Sequence, residues 1–262
     1  MSLAAQAREL ATSGDLFRML VGREIRSRYR QTALGIGWVV LQPLVPAVIF
    51  AIVFGAFARL PSGGVPYLEF ALSGTVIFGL FSNAVVRASN AYLREGALVT
   101  KVYFPRALLP LASGFGAIVD FGVGLVLLLV VMLASGHVPP IGFLAVPIIV
   151  IGTLALGLST GLALAALSAH LRDFAIAVPF AMQVALYASP VFYAADIVPA
   201  GFRPAYALNP MVGLTEAFRS AVLGSEWATW PDLGIGLAVG FAISVISIGV
   251  FLRASRDLSD VI

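Results

Sequence analysis

Long apolar runs separated by short polar segments make up almost the whole chain. An α-helix needs about 20 consecutive apolar residues to cross the hydrocarbon core of a bilayer. Six runs meet this requirement, and we predict a membrane span in each: 35–57, 70–91, 108–133, 141–168, 174–195 and 232–252. The pattern predicts an all-α membrane protein with six transmembrane helices.

The polar segments are too short to form a second folded unit. We therefore predict a single transmembrane domain over 1–262, made of a cytoplasmic interfacial helix (1–34), a six-span bundle (35–252) and a cytoplasmic tail (253–262). The first 33 residues hold six arginines and no long apolar core, so we expect no cleavable signal peptide.

The segment before the first span has an amphipathic pattern. Apolar residues recur at three- and four-residue spacing: Leu16, Phe17, Leu20, Val21, Ile25 and Tyr29. The arginines fall mostly on other faces: Arg18, Arg23, Arg26 and Arg30. A basic amphipathic helix lies in the plane of the lipid headgroups. Two interpretations stay open, a topology anchor and a sliding helix that transmits motion into the first span.

Residues 187–231 are apolar but repeatedly broken by proline, at positions 190, 199, 204, 210 and 231. Proline removes a backbone donor and ends helices, which argues against a seventh span. We expect short re-entrant or interfacial helices on the outer side, among them one from Thr215 to Leu223 with Leu214, Phe218 and Val222 on one face. An ordinary outer loop is the alternative.

Composition agrees with a membrane protein. The 262 residues are 60% hydrophobic and 11% charged, against about 45–50% and about 25% in soluble domains. The chain has no cysteine and only two histidines, so disulfides and thiolate chemistry are excluded and a metal site is not expected.

The basic residues define an orientation. With the N-terminus inside, twelve of the 16 lysines and arginines lie in the inner segments 1–34, 92–107, 169–173 and 253–262. Only Arg59, Arg203 and Arg219 lie in outer segments, and Arg87 lies in a span. By the positive-inside rule, both termini are predicted to be cytoplasmic.

Two motifs bear on enzymatic function. Residues 157–161 match the GxSxG pattern of serine hydrolases, but they lie in a continuous apolar helix. His170 would be about 16 Å from Ser159 along that helix, so small-residue packing between spans is the preferred interpretation. The only lysine, Lys101, is not preceded by a phosphate-binding loop, so any ATP must bind another chain.

Asp120 is the one acid well inside a predicted span. Intramembrane carboxylates are functional candidates, and a proton-coupled carrier would use one. No intramembrane lysine or histidine accompanies it, whereas Arg87 is available on the preceding span. We favour a structural ion pair of Arg87 and Asp120.

Several motifs, in order along essentially the whole chain, resemble the permease subunits of ABC-type polysaccharide exporters. They are REIRSRYRQTALGIGWVVLQP (23–43), TKVYFPRALLP (100–110), AHLRDF (169–174), ASPVFY (188–193), YALNP (206–210) and RDLSDVI (256–262). Exporters of O-antigen, capsule and teichoic acid share these motifs, so the polymer stays open. The resemblance implies a bacterial inner-membrane location.

The resemblance also implies partners. It indicates a homodimer around a central channel, two cytoplasmic ATP-binding subunits that hold ATP and Mg²⁺, and a lipid-linked polysaccharide moved outward through the lipid membrane. No cofactor is expected on this chain, and no nucleic acid. An ABC-type exporter of a drug or lipid is the alternative, followed by a proton-coupled carrier or an intramembrane enzyme.

Three groups of site residues follow from this resemblance. Sugars stack their C–H faces on aromatic rings, which suggests a channel lined by Phe50, Phe54, Phe57, Phe78, Phe81, Phe180, Tyr187, Phe192 and Tyr193. An inner gate is expected at Arg26, Tyr29, Arg30 and Trp38. Coupling to the ATP-binding subunit is expected at Lys101, Phe104, Pro105, Arg106, Arg172 and Asp173.

The charge bias predicts the accessibility of each loop. A single cysteine placed in 134–140 should react with a membrane-impermeant thiol reagent in intact cells whose outer membrane is permeable. A cysteine in 92–107 should react only after the inner membrane is opened. Labelling is clean because the chain has no cysteine of its own. The reverse pattern would contradict the orientation.

Overall fold

The computed structural model of the chain describes residues 13–29, 37–94, 105–224 and 230–255. Within these ranges the secondary structure is helical, without strands. The helices are α1 (Gly14–Tyr29), α2 (Gly37–Phe50), α3 (Tyr67–Ser89), α4 (Ala91–Arg94), α5 (Leu108–Phe115), α6 (Ala117–Ala134), α7 (Val146–His170), α8 (Asp173–Tyr187), α9 (Arg203–Ala207), α10 (Pro210–Leu223) and α11 (Trp230–Ala254). A π-helical segment, Ala51–Phe57, continues α2, and 3₁₀ turns occur at Ile141–Ala145 and Ala195–Ile197.

Five helical stretches of the described chain are long and apolar enough to cross a membrane: Gly37–Phe57, Tyr67–Ser89, Leu108–Ala134, Ile141–His170 and Gly234–Ala254. They coincide with five of the six predicted spans. The predicted span 174–195 differs, because its helix α8 has 15 residues and ends at Tyr187. Its length of about 22 Å is less than the roughly 30 Å of the hydrocarbon core.

Helix α8 ends early because the backbone turns at Ala188 and Ser189, just before Pro190. The Asn209 amide fixes this turn by donating to the Ala188 carbonyl at 3.2 Å and to the Ser189 hydroxyl at 2.9 Å. Pro179, in contrast, is accommodated inside the helix. Of the two prolines in the predicted span, only Pro190 coincides with its end.

Helix α3 is the centre of the bundle. Its most apolar 18-residue window is 78% buried, against 11% for the α2 span and 17% for the α11 span. Helix α7 packs against it through small residues, because a Cβ on Gly161 would lie 2.6 Å from the Ala88 Cβ. A Cβ on Gly157 would likewise lie 2.9 Å from the Ala84 Cβ. The predicted small-residue packing is therefore present.

Helix α7 also carries the serine of the hydrolase-like motif. The Ser159 hydroxyl lies 3.0 Å from the Leu156 carbonyl oxygen and 2.9 Å from the Ser244 hydroxyl of α11. His170 contacts the Ala254 carbonyl through Nε2 at 3.1 Å, at the far end of the helix. Each residue joins α7 to α11, and they do not meet.

The predicted amphipathic helix is α1. Its apolar face packs on α5, with Leu20 buried beside Leu108 and Leu109. The Phe17 and Phe115 rings meet edge to face, with centroids 5.7 Å apart. The apolar side of α1 is therefore covered by protein.

The proline-rich segment after α8 contains the short helices α9 and α10. Leu214, Phe218 and Val222 of α10 are all buried, as their shared face predicts. The Asn209 side chain caps the helix by accepting from the Met211 amide at 3.0 Å. Gly224 ends it in a left-handed conformation, with φ of 76°.

The contact of α3 with α7 predicts opposite effects for two glycines on one helix. In a helix, alanine is more favourable than glycine by about 1 kcal/mol. A Cβ at Gly152 would meet only Leu214, at 3.9 Å. Gly152→Ala should therefore leave the thermal stability of the purified protein unchanged or raise it. Gly161→Ala should lower it by about 1–3 kcal/mol, since its Cβ would overlap Ala88. Equal melting temperatures in detergent would contradict the tight contact.

A polar cavity between four helices

A cavity of about 330 Å³ lies between α2, α3, α6 and α8. Pro43, Pro46, Phe78 and Phe192 form part of its apolar wall. Its polar lining comes from all four helices and comprises Gln42, Thr75, Ser82, Asn83, Asp120 and Gln183. Polar side chains therefore converge on one space among helices that are otherwise apolar.

Two of these polar groups are satisfied by protein. The Thr75 hydroxyl is 2.9 Å from the Leu72 carbonyl and 3.4 Å from the Pro43 carbonyl, which ties α3 to α2. Asp120 is paired with Arg87. Within the described ranges, the side chains of Gln42, Ser82, Asn83 and Gln183 make no hydrogen bond to protein.

Arg87 of α3 and Asp120 of α6 form a buried ion pair between Nη2 and Oδ2. Gly116 leaves room for it, because a Cβ at that position would lie 3.0 Å from Arg87 Nη1. The same Cβ would lie 3.4 Å from Cγ of Glu24, a residue of α1. The pair thus joins two spans at the cavity wall and has a carboxylate-bearing residue of the amphipathic helix beside it.

A second buried charge holds the chain that closes the cavity after α8. Arg219 of α10 is fully buried, with its guanidinium 3.7 Å from the centroid of the Phe70 ring. It contacts Glu216 at 3.2 Å and donates to the Val191 carbonyl at 2.5 Å. Gly74 of α3 permits this approach, since a Cβ there would overlap the Val191 carbonyl.

From the sequence, Arg219 is predicted only as a positive charge on the outer side. Its ion pair with Glu216 is indicated by their spacing of three residues within an apolar segment, which places both side chains on one side of a helix. Burial raises the pKa of Glu216 to about 7, and Arg219 together with the Ala195 amide opposes that rise. The pair fixes the segment carrying Phe192 rather than facing the cavity.

A third polar contact lies at the other end of α3. Glu69 is completely buried, and both its carboxylate oxygens lie 3.0 Å from Nδ1 of His137, whose side chain is 41% exposed. The contact ties the connection after α6 to the first turn of α3.

The nine predicted channel aromatics differ in burial. Phe78, Phe81 and Phe192 are buried, whereas Phe57, Phe180 and Tyr187 are exposed. The remaining three are half-buried. Phe50 stacks on Phe192 with centroids 3.7 Å apart, Phe54 packs against Phe50, and Tyr193 donates to the Tyr187 carbonyl and accepts from Tyr206. Only Phe78 and Phe192 line the cavity.

Two of the four predicted gate residues have described side chains. Arg26 donates from Nε to the carbonyl of Gly22 in its own helix, at 3.1 Å, and Trp38 is exposed at the start of α2. The side chain of Tyr29, and Arg30 as a whole, lie outside the described residues.

Four of the six predicted coupling residues are described. Lys101 and Phe104 lie outside the described residues, and Pro105 is half-buried. The Arg106 guanidinium donates to the Ser255 carbonyl, so it joins the chain before α5 to the end of α11. Arg172 and Asp173 are exposed at the start of α8.

Tyr92 of α4 holds the backbone at Arg106. Its hydroxyl donates to the Arg106 carbonyl at 2.7 Å. Burial raises the pKa of Tyr92 above its usual range, against the opposing effect of Arg106, so the donor keeps its proton. In the part of the chain that the structure describes, no cluster of three or more His, Cys, Asp or Glu could hold a metal ion.

Comparison with known proteins gives one consistent result. Residues 15–223 match the family described as ABC-2 type transporter. An O-antigen export system permease of Myxococcus xanthus is 29% identical over 215 residues, covering 81% of this chain and 82% of that protein. One from Klebsiella pneumoniae is 21% identical over 253 residues, 95% of each chain. The polysialic acid transport protein of Escherichia coli is 22% identical over 236 residues, 90% of this chain and 91% of its own.

The ion pair predicts a specific pattern of stability. Arg87→Leu should lower the stability of the purified protein by about 3–5 kcal/mol, because it leaves Asp120 buried without its cation. The double variant Arg87→Leu/Asp120→Leu should recover most of that loss, since no buried charge is left unpaired. Thermal unfolding in detergent measures both. A double variant less stable than Arg87→Leu would contradict this account.

Proposed function

Because this chain belongs to the ABC-2 type transporter family of membrane permeases, we propose that it moves a lipid-linked polysaccharide outward across the bacterial inner membrane. An O-antigen or a capsular glycan is the expected cargo. The observation that carries the proposal is the match, over 81–95% of the chain, to several permeases named for polysaccharide export.

The permease acts as a homodimer. A cavity of 330 Å³ would hold only about ten water molecules at about 30 Å³ each, too little for a polymer to pass. Two of the helices that border it, α2 and α8, expose apolar residues such as Val45, Ile49, Ile176 and Phe180. A second copy facing these helices would enlarge the cavity into a continuous path.

Transport is driven by a separate ATP-binding subunit, two copies of which hold ATP and Mg²⁺. We place both termini and the loops 92–107 and 169–173 on the cytoplasmic side, from the distribution of basic residues. Exposed Leu171, Arg172 and Asp173 lead directly into α8. Because Met182 and Gln183 of α8 line the cavity, a push on this loop has a short mechanical route to the glycan path.

The amphipathic helix offers a second route. Glu24 of α1 lies beside the ion pair of Arg87 and Asp120, and Asp120 is part of the cavity wall. Movement of α1 would therefore shift the ion pair and, through Asp120, the wall of the cavity. Arg26, Tyr29 and Arg30 at the end of the same helix are proposed to gate the inner mouth.

The aromatic residues are proposed to guide the glycan at two levels. Phe78 and Phe192 offer ring surfaces within the cavity, and Phe57, Phe180 and Tyr187 offer exposed rings on the α2 span and α8. The short helices α9 and α10 are proposed to lie at the outer membrane surface.

The function is tested by complementation. A strain that makes the lipid-linked glycan but lacks its permease should keep the glycan at the inner face of the membrane. This chain, expressed with its ATP-binding subunit, should restore glycan to the cell surface, and a subunit variant unable to hydrolyse ATP should not. Surface glycan with the inactive ATPase would contradict ATP-driven export.

The coupling loop is tested at Phe104, an aromatic residue beside a proline and an arginine in 92–107. Loss of a buried aromatic anchor costs about 2 kcal/mol or more, so Phe104→Ala should bind the ATP-binding subunit roughly thirtyfold more weakly. Co-purification and export should both fall, whereas insertion should be normal.

Phe202 provides the matched control, because it is an exposed aromatic followed by Arg203 and Pro204 on the predicted outer side. Phe202→Ala should retain the ATP-binding subunit. If Phe104→Ala also retains the ATP-binding subunit fully, the 92–107 loop only connects two spans and does not couple to that subunit.

A further inference from the structure

Three carboxamide side chains from three different helices line the same cavity. They are Gln42 of α2, Asn83 of α3 and Gln183 of α8, and we refer to them as the carboxamide set. Within the described residues, none of the three has a hydrogen-bond partner in the protein. Ser82, next to Asn83, also lines the cavity and is likewise without one.

Such groups are expensive where water is scarce. Each carboxamide carries two N–H donors and one acceptor oxygen, and an unpaired amide in an apolar medium costs several kcal/mol. Gln42 and Asn83 lie within two of the helices long and apolar enough to cross a membrane. Gln42 and Gln183 are exposed in this chain and Asn83 is half-buried. In a membrane they need an occupant that hydrogen-bonds, because a lipid acyl chain would leave all three side chains unsatisfied.

The other residues that line the cavity restrict the kind of molecule that can occupy it. Pro43, Pro46, Phe78 and Phe192 add ring-shaped apolar surfaces to the same cavity. The ionised group on the wall is Asp120, whose carboxylate disfavours an anion, and its partner Arg87 is engaged by it. A neutral molecule with hydroxyl groups at its edge and C–H faces fits all of these features.

We infer that the carboxamide set is a hydrogen-bonding site for sugar hydroxyls, and that it contacts the glycan while it crosses the membrane. This inference rests on the proposed function and adds the residues that recognise the cargo. Amides both donate and accept, so they can exchange one hydroxyl for the next without favouring a particular sugar. Neutral hydrogen bonds of modest strength also allow the polymer to slide.

A photocrosslinking experiment tests the site directly. A benzophenone amino acid is placed at Gln42 or at Gln183 in the complete transporter, and cells are illuminated while they export glycan. Adducts that react with a glycan-specific antibody are expected at both positions. The matched control position is Phe241, an exposed residue of α11 that does not line the cavity, where no glycan adduct is expected.

Isosteric variants test the hydrogen bonds themselves. The triple variant Gln42→Met, Asn83→Leu and Gln183→Met keeps the volume of the set and removes its donors and acceptors. It should export glycan at least about tenfold more slowly, while membrane level, thermal stability and ATPase binding match the wild type. Ile246→Leu, a change on an exposed residue of α11 that does not line the cavity, should export normally.

Two results would overturn the inference while leaving the proposed function intact. The first is wild-type export with no glycan adduct at positions 42 and 183, as expected if the cavity holds only water. The second is a triple variant that exports at the wild-type rate. Failure of the wild-type chain to export any glycan would instead overturn the proposed function, and this inference with it.

Discussion

Close contact between α3 and α7 is the interaction on which the rest of the bundle depends. In a bilayer, lipid tails are as apolar as leucine, so helices associate through van der Waals contact and polar pairs rather than through expulsion of water. Gly157 and Gly161 let the α7 backbone approach Ala84 and Ala88 of α3. Helix α3 is thereby buried, and its other faces become the support for α2, α6 and α10.

Charges buried at the ends of α3 fix how those helices sit around it. Glu69 meets His137 near its start, and Arg87 meets Asp120 near its end. Arg219, packed on the Phe70 ring, reaches across to the chain that follows α8. Each contact joins α3 to a different part of the chain, and breaking the buried ion pair of Arg87 and Asp120 by removing one partner is expected to be strongly destabilising. Between these anchored ends lies the polar cavity.

The sequence predicted the parts of this structure that depend on local patterns. Five spans, the amphipathic helix α1 and a helix containing Phe218 follow from runs and spacings of apolar residues. The small-residue contact of α7 was also visible as a motif. The predicted end of the fifth span, at residue 195, is wrong, because apolar residues continue past the observed end of α8 at Tyr187 and only Pro190 marks the turn.

The site was harder to predict, because it is made by residues that meet only in three dimensions. Nothing in the sequence near Gln42 indicates that Asn83 and Gln183 share its cavity. His137 and Glu69 are 68 positions apart, and Arg219 reaches a carbonyl 28 positions away. Aromatic residues were the more visible candidates for a sugar path, yet only two of the nine line the cavity, because most of the others pack on neighbours or face outward.

The winding of α2 has a mechanical consequence of its own. Pro43 and Pro46 interrupt its first half, and Ala51–Phe57 continues it as a π-helical segment. A π-helix closes its hydrogen bonds over one more residue than an α-helix does. Rewinding the segment as an α-helix would turn the residues beyond it by about 100°, one residue's share of an α-helical turn, relative to the first half of α2. Such a change of winding would re-aim Phe57 while Gln42 stays in place.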